Sequence, residues 1–164
     1  MDILGIDPGT LESAYVLTNN NLEIESFGKL ENSEMLKILI TTLKENENLK
    51  VAIEMIASMG MAVGQSVFET CRWIGRFEQK CLDFSVIPTI IYRKDEKINL
   101  CGSMRAKDSN IRQALIDRFA KFDKLNGKGS KKNPDVFFGF KADMWAAMAV
   151  TVTYYDLYLK YLNI

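Results

Sequence analysis

Three carboxylates stand where a fold could bring them together: Asp7, Glu54 and Asp143. Asp7 closes the short apolar run Ile3-Leu4-Gly5-Ile6 and is followed at once by Pro8-Gly9. Such a run is too short for a helix and reads as a buried strand cut off by a turn. Lys50-Val51-Ala52-Ile53-Glu54 repeats the device, a second apolar strand ending on an acid. Asp143 opens the run Met144-Trp145-Ala146-Ala147-Met148-Ala149-Val150, which is apolar nearly all round and so reads as a buried helix with one polar exception. A lone Asp before Pro also suits simple turn initiation. Burying a carboxylate is costly unless a cation meets it, and three aimed at one point repel each other. Hard divalent cations such as Mg²⁺ or Mn²⁺ resolve that repulsion with oxygen ligands. A pair of them about 3.5–4 Å apart supports in-line phosphodiester displacement, one activating water and the other stabilising the leaving oxygen. The chain has no histidine, which excludes His-based triads, zinc–histidine sites and imidazole proton shuttles.

These acids need elements to hold them. After the first turn, Ser13–Thr18 and Leu22–Leu30 read as two further strands of an antiparallel meander, joined by Asn19-Asn20-Asn21. Ser33 is placed to cap a helix running through Leu43. If the strand ending at Glu54 lies parallel to the first and beside it, both acids reach the sheet edge where open α/β sheets place ligands. Beyond a Met- and Gly-rich passage, residues 55–64, a long helix extends to about Cys81, and Ser85–Tyr92 reads as a fifth strand. Arg93–Lys97 reads as a charged break, and Ile98–Cys101 as a short strand or irregular segment. A helix over Ser103–Phe119 follows, then a mobile basic loop over residues 121–133 and a last helix from about Lys141 to Leu162. The order predicts an α/β fold, a five-stranded mixed sheet flanked by helices, in a single domain spanning residues 1–164.

The composition is that of an ordinary globular chain, with 48% hydrophobic and 26% charged residues and no net charge. Neither a long apolar span nor a leader-like N-terminus is present, and Cys71, Cys81 and Cys101 form no C-x-x-C pair, so a cytoplasmic protein without membrane contact is expected. Charge is unevenly distributed. Residues 1–60 hold ten Asp/Glu against four Lys/Arg, whereas residues 91–141 hold thirteen Lys/Arg against six Asp/Glu. A basic stretch is often plain solvated surface, but beside an acidic metal site it offers a polyanion somewhere to lie.

The blocks ILGIDPGT, VAIEMIA, CGSMRAKDSNIRQALIDRF and KADMWAAMAV, in this order, resemble the RuvC-like Holliday junction resolvases, most closely their phage-encoded branch. The resemblance spans almost the whole chain. It implies an RNase H-like fold, a homodimer, a cytoplasmic setting in a bacterial host, and metal-dependent cutting of branched DNA: Holliday junctions, replication forks or three-way junctions. By position it implies Asp7, Glu54 and Asp143 as ligands of Mg²⁺ or Mn²⁺, two ions per site, with Lys107 near the cleaved backbone. Arg105, Lys107, Arg112, Arg118, Lys121, Lys124, Lys128, Lys131 and Lys132 would then track phosphates, with Arg93, Lys94 and Lys97 extending the track.

Two departures stand out. Three residues before the last Asp, where cellular members carry an acid or histidine, this chain has Phe140; Glu69, Asp108, Asp135 or water could fill the gap. Where members often place an aromatic wedge, it has Met55, Ile56, Met59 and Met61, a composition better suited to adaptable packing. Apolar positions on the helix after Gly64, with Trp73 and Phe77 a turn apart, suggest a dimer seam. The alternative to a nuclease is a junction-binding protein with lost or weak catalysis, motivated by Phe140.

Overall fold

The structure, a computed structural model, describes every residue except Ser58, Met59, Met61 and residues 162–164. Five strands, β1 (Ile3–Asp7), β2 (Glu12–Thr18), β3 (Ile24–Glu31), β4 (Lys50–Met55) and β5 (Thr89–Tyr92), form one mixed sheet in the order β3-β2-β1-β4-β5. The first three strands are antiparallel, and β1–β4 and β4–β5 pair in parallel. In the β1–β4 register Ile6 stands opposite Ile53, so Asp7 and Glu54 follow side by side. That is the arrangement the two acid-terminated runs require.

Helices cover both faces, so the central strands bury alternate residues in two separate cores. On one face α1 (Asn32–Glu45) and α2 (Gln65–Asp83) pack against Leu4, Ile6, Val51 and Ile53. On the other, α4 (Asp108–Phe119) and α5 (Ala142–Tyr154) pack against Ile3, Val16, Ala52 and Ile91. The closest approach is at Gly5. A Cβ there would sit 2.6 Å from the Ala147 carbonyl oxygen and collide with Thr151, so α5 lies directly on β1. Only glycine allows this contact, and it brings the start of α5, with Asp143, toward the end of β1.

Several local expectations change. Arg93–Lys97 is not a break but the start of α3 (Arg93–Cys101), and Ile98–Cys101 continues that helix. Asp95 accepts the Tyr92 backbone N–H at 3.1 Å and favours the positive helix end, and Gly102 stops the helix in the left-handed region. The next helix starts at Asp108 rather than Ser103, with Asn110 accepting the Lys107 N–H at 2.8 Å. Ser33 does not cap α1. Instead the buried Asn32 side chain donates to the Gly9 carbonyl at 2.9 Å and accepts from Ser13 Oγ at 2.6 Å, fixing the turn behind Asp7. Strand β3 begins at Ile24 because Leu22 takes a left-handed turn conformation, and β5 is shortened to follow Pro88. The last helix passes into a π-helical turn over Tyr155–Leu159; its expected end, Leu162, lies outside the described residues. No helix among the described residues is long and apolar enough to cross a membrane.

The basic loop also differs. Asp135, buried, accepts backbone N–H groups from Lys121, Phe122, Asp123 and Val136 at 2.7–3.0 Å. Asp123 in turn accepts those of Asn126, Lys128 and Gly129. Residues 121–136 therefore wrap around two carboxylates rather than forming an unstructured basic loop.

Candidate active site

A cavity of about 620 Å³ opens at the C-terminal end of β1 and β4, lined by Asp7, Glu54, Asp108 and Asp143 together with Arg93, Arg112 and Trp145. The three acids singled out from sequence thus share one pocket, and Asp108 joins them from the first turn of α4. Each reaches it through a different element: two parallel strand ends, the start of α5 and the start of α4.

The electrostatics of this pocket are unusual. Burial pushes the Asp7 carboxyl up to about 8, and the neighbouring Glu54 and Asp143 push the same way. Burial also raises Glu54, with Arg93 opposing. Both carboxyls are thus held above their usual range, the response of adjacent acids taken out of solvent. Asp143 Oδ2 pairs with Lys29 Nζ at 2.7 Å, and Lys29 also reaches Glu12 at 3.3 Å. Arg93 bridges Asp108 at 2.7 Å and Glu96. Glu96 is fully buried; its second oxygen finds no hydrogen-bond partner among the described residues. Burial and the Glu54 charge push it up to about 9.

An all-oxygen donor set of this kind suits hard divalent cations. The starved Asp7–Glu54 pair fits them too, because a bound cation supplies the charge the pocket lacks. Among the described residues no three acids converge on a single ion as they stand. Asp7 and Glu54 stand side by side at the strand ends, while Lys29 and Arg93 engage Asp143 and Asp108.

The remaining candidates separate cleanly. Phe140 is fully buried between Phe27, Phe137 and Trp145, with ring centroids 4.7, 5.1 and 5.2 Å away, so its position belongs to the core. Asp135 is saturated by backbone donors and Glu69 is paired with Arg72 on α2, outside the pocket. Of the three candidates for a fourth acid, the fold brings Asp108 alone to the pocket.

Arg112 also lines it, its guanidinium 4.7 Å from the Trp145 ring centroid. Arg105 and Lys107 are exposed just before α4, and Lys121, Lys131 and Lys132 are exposed with Lys128 half-buried on the wrapped loop. Arg118 instead forms a bidentate pair with Asp156 at 2.6 and 2.9 Å, and Lys124 Nζ donates to the Ala120 carbonyl at the end of α4. Both have structural partners. Trp73 and Phe77 do not form an outward seam: Phe77 is buried in the core and Trp73 packs against it, 5.9 Å away. Met55 and Ile56 border a second cavity, whereas Met59 and Met61 lie outside the described residues.

Sequence reasoning missed Lys29 and Glu96. Lys29 sits on an ordinary alternating strand and carries no local signal. Glu96 hides in a charged run, although its i,i+3 spacing from Arg93 is a helical one.

No protein-family model matches the chain, and no curated protein matches it in sequence. Solved structures do. Thermus thermophilus RuvC superposes with a TM-score of 0.68 at 14% identity, over 95% of each chain. T. thermophilus RuvC in complex with Holliday junction substrate gives 0.69 at 12% identity, over 94% of this chain and 92% of that one. This likeness establishes the architecture: the five-stranded mixed sheet with flanking helices is the RuvC-type, RNase H-like fold.

Proposed function

We propose that the protein is a divalent-metal-dependent endonuclease that cuts branched DNA, working as a homodimer like the phage-encoded branch of RuvC-like resolvases. The observation that carries this reading is the parallel β1–β4 register, which sets Asp7 beside Glu54 on a pocket that Asp143 and Asp108 also line. Asp7, Glu54 and Asp143 would hold Mg²⁺ or Mn²⁺, which when bound supplies an activated water and charge neutralisation for in-line phosphodiester hydrolysis. The chain's own contribution is to prepare the acids. Asp7 and Glu54, raised by burial, would bind a cation in their ionised forms, and Lys29 and Arg93 hold Asp143 and Asp108 in place. Arg112, braced on Trp145, faces a backbone phosphate at the pocket, and Lys107 stands next to Asp108. Arg105, Lys121, Lys128, Lys131 and Lys132 extend this contact along the duplex, giving affinity that falls steeply with salt.

The second reading, a junction-binding protein that does not cut, is favoured by Phe140, which replaces an acid with core. One experiment separates the two. Labelled four-way junctions, three-way junctions and linear duplex are incubated with Mg²⁺ or Mn²⁺ and the wild type or Asp7→Asn. Nicks confined to branched substrates are expected, with Asp7→Asn slower by on the order of a thousandfold and binding retained. Tight junction binding without nicks under either metal would leave the second reading.

A further inference from the structure

Glu96 has no part in the chemistry of the pocket and does not line it, yet it is fully buried. Of its two carboxyl oxygens only Oε2 has a partner, Nη1 of Arg93; Oε1 has none among the described residues. A buried carboxyl met on one side only works against stability, and a well-packed apolar residue in such a place is often no less stable. Neutralising Arg93 does not explain it either, because Nη2 of the same guanidinium already donates to Asp108 Oδ1 at 2.7 Å.

The strand ends give Glu96 a reason. β1, β4 and β5 run parallel, and Arg93 follows β5 directly, one residue beyond Tyr92, with Ile91 paired opposite Glu54. Arg93 and Glu54 also line two cavities together, the carboxylate pocket and a neighbouring one of about 390 Å³. The guanidinium therefore has Glu54 as an alternative partner. Glu54 is half-buried, whereas the Asp108 side chain is 83% exposed, and opposite charges attract more strongly where water is excluded. Asp108 alone would lose that competition. Even so, no ion pair joins Arg93 to Glu54 among the described residues; the guanidinium is held at one edge by Glu96 and at the other by Asp108. An ion pair with Glu54 would engage the oxygens that a divalent cation needs.

We infer that Glu96 is a positioning residue for the metal site: by holding Nη1 from beneath, it directs the Arg93 guanidinium to Asp108 and keeps it off Glu54, so that Asp7 and Glu54 stay open to a divalent cation. The inference rests on the nuclease reading above and adds to it a residue that governs metal uptake. The grip is local, since Arg93 and Glu96 lie three apart on α3, so it persists when Asp108 leaves Arg93.

The test is Mn²⁺ titration of the intact protein without DNA, read from the free-ion paramagnetic resonance signal, with thermal melting to confirm that each variant is folded. Glu96→Leu, which removes the grip, should weaken Mn²⁺ binding roughly ten- to a hundredfold. Glu96→Gln keeps an oxygen that accepts from Nη1 and should stay close to the wild type. Adding Arg93→Met to Glu96→Leu should restore most of the lost affinity, which a merely structural role for Glu96 would not allow. A second pair leaves Glu96 untouched and carries the test if Glu96→Leu does not fold. Arg93→Lys, whose single ammonium cannot be held at two edges, should bind Mn²⁺ more weakly than Arg93→Met. Wild-type affinity in a folded Glu96→Leu, no recovery in the double variant, or equal affinity in Arg93→Lys and Arg93→Met overturns the positioning role and leaves the nuclease reading intact. A wild type that binds no Mn²⁺ overturns both.

Discussion

Two regions of this molecule take carboxylates out of water and treat them in opposite ways. At Asp135 burial works against ionisation, but four backbone N–H donors outweigh it and hold the carboxyl well below its usual range. At Asp7 burial also works against ionisation, and the nearest groups, Glu54 and Asp143, make matters worse, so the carboxyl rises to about 8. The first is a structural knot whose hydrogen-bonding capacity is spent on its own loop. The second is left short of donors and counter-charge, a state a fold retains where an external cation completes it. Acid content alone does not distinguish them; the partners do.

Predictions sharpen or break this contrast. The largest effect beyond the Asp7→Asn loss of cleavage falls on Phe140. Restoring an acid with Phe140→Asp should not improve cutting and should destabilise the fold by about 4 kcal/mol or more, because a full aromatic contact is lost and a charge is buried. Urea denaturation measures it; a variant of normal stability that binds metal more tightly would place that position in the site instead of the core. Asp135→Ala comes next. Four orphaned N–H groups should lower the melting temperature by on the order of 5 °C or more and raise hydrogen exchange across residues 121–136. An unchanged exchange pattern would mean the loop holds itself.

The pH responses should have opposite signs. Asp7 has a raised folded value, so its contribution is fully present below its ordinary value near 3.8 and is lost as pH rises through about 8. Without metal, Asp7→Asn should therefore melt higher than the wild type at pH 8–9 and equally near pH 4. Adding Mg²⁺ should raise the wild type's melting temperature and leave the variant unmoved. Asp135 has a lowered folded value, so its contribution is present above about pH 4 and is lost as pH falls below it. If both variants track the wild type across that range, the two environments do not differ as described. The smallest effect concerns Lys29, whose pair with Asp143 is partly exposed. Lys29→Met should tighten Mg²⁺ binding a few-fold by freeing Asp143, measured by calorimetry; weaker binding would make Lys29 a support for the site.

Much of this was legible along the chain because the signals were local. A short apolar run ending on an acid before Pro-Gly is a strand with a carboxylate at its tip, and Lys50–Glu54 repeats it, so the strands carrying Asp7 and Glu54 and the buried helix carrying Asp143 follow from residue order alone. The helical start at Arg93 did not, because a run of charges has no apolar period to read, and it is held by an Asp95 cap and the partly buried Arg93–Glu96 contact. Nor could sequence distinguish Asp108 from Asp135 and Glu69. All three are acids of the same type, and which one faces the pocket depends on how α4 and the 121–136 loop pack.

The sequence by itself determined the strand and helix that carry each principal acid, the all-oxygen chemistry left when histidine is absent, and the basic half of the chain, because these are properties of residue type and short-range spacing. Only the tertiary structure decided that β1 and β4 run parallel in adjacent register, that Gly5 lets α5 bring Asp143 toward Asp7, that Lys29 and Arg93 stand among the acids, and that Phe140 is core. The reason is physical: a carboxylate's charge state and availability are set by burial and by neighbours distant in sequence, and those exist only once the layers have packed.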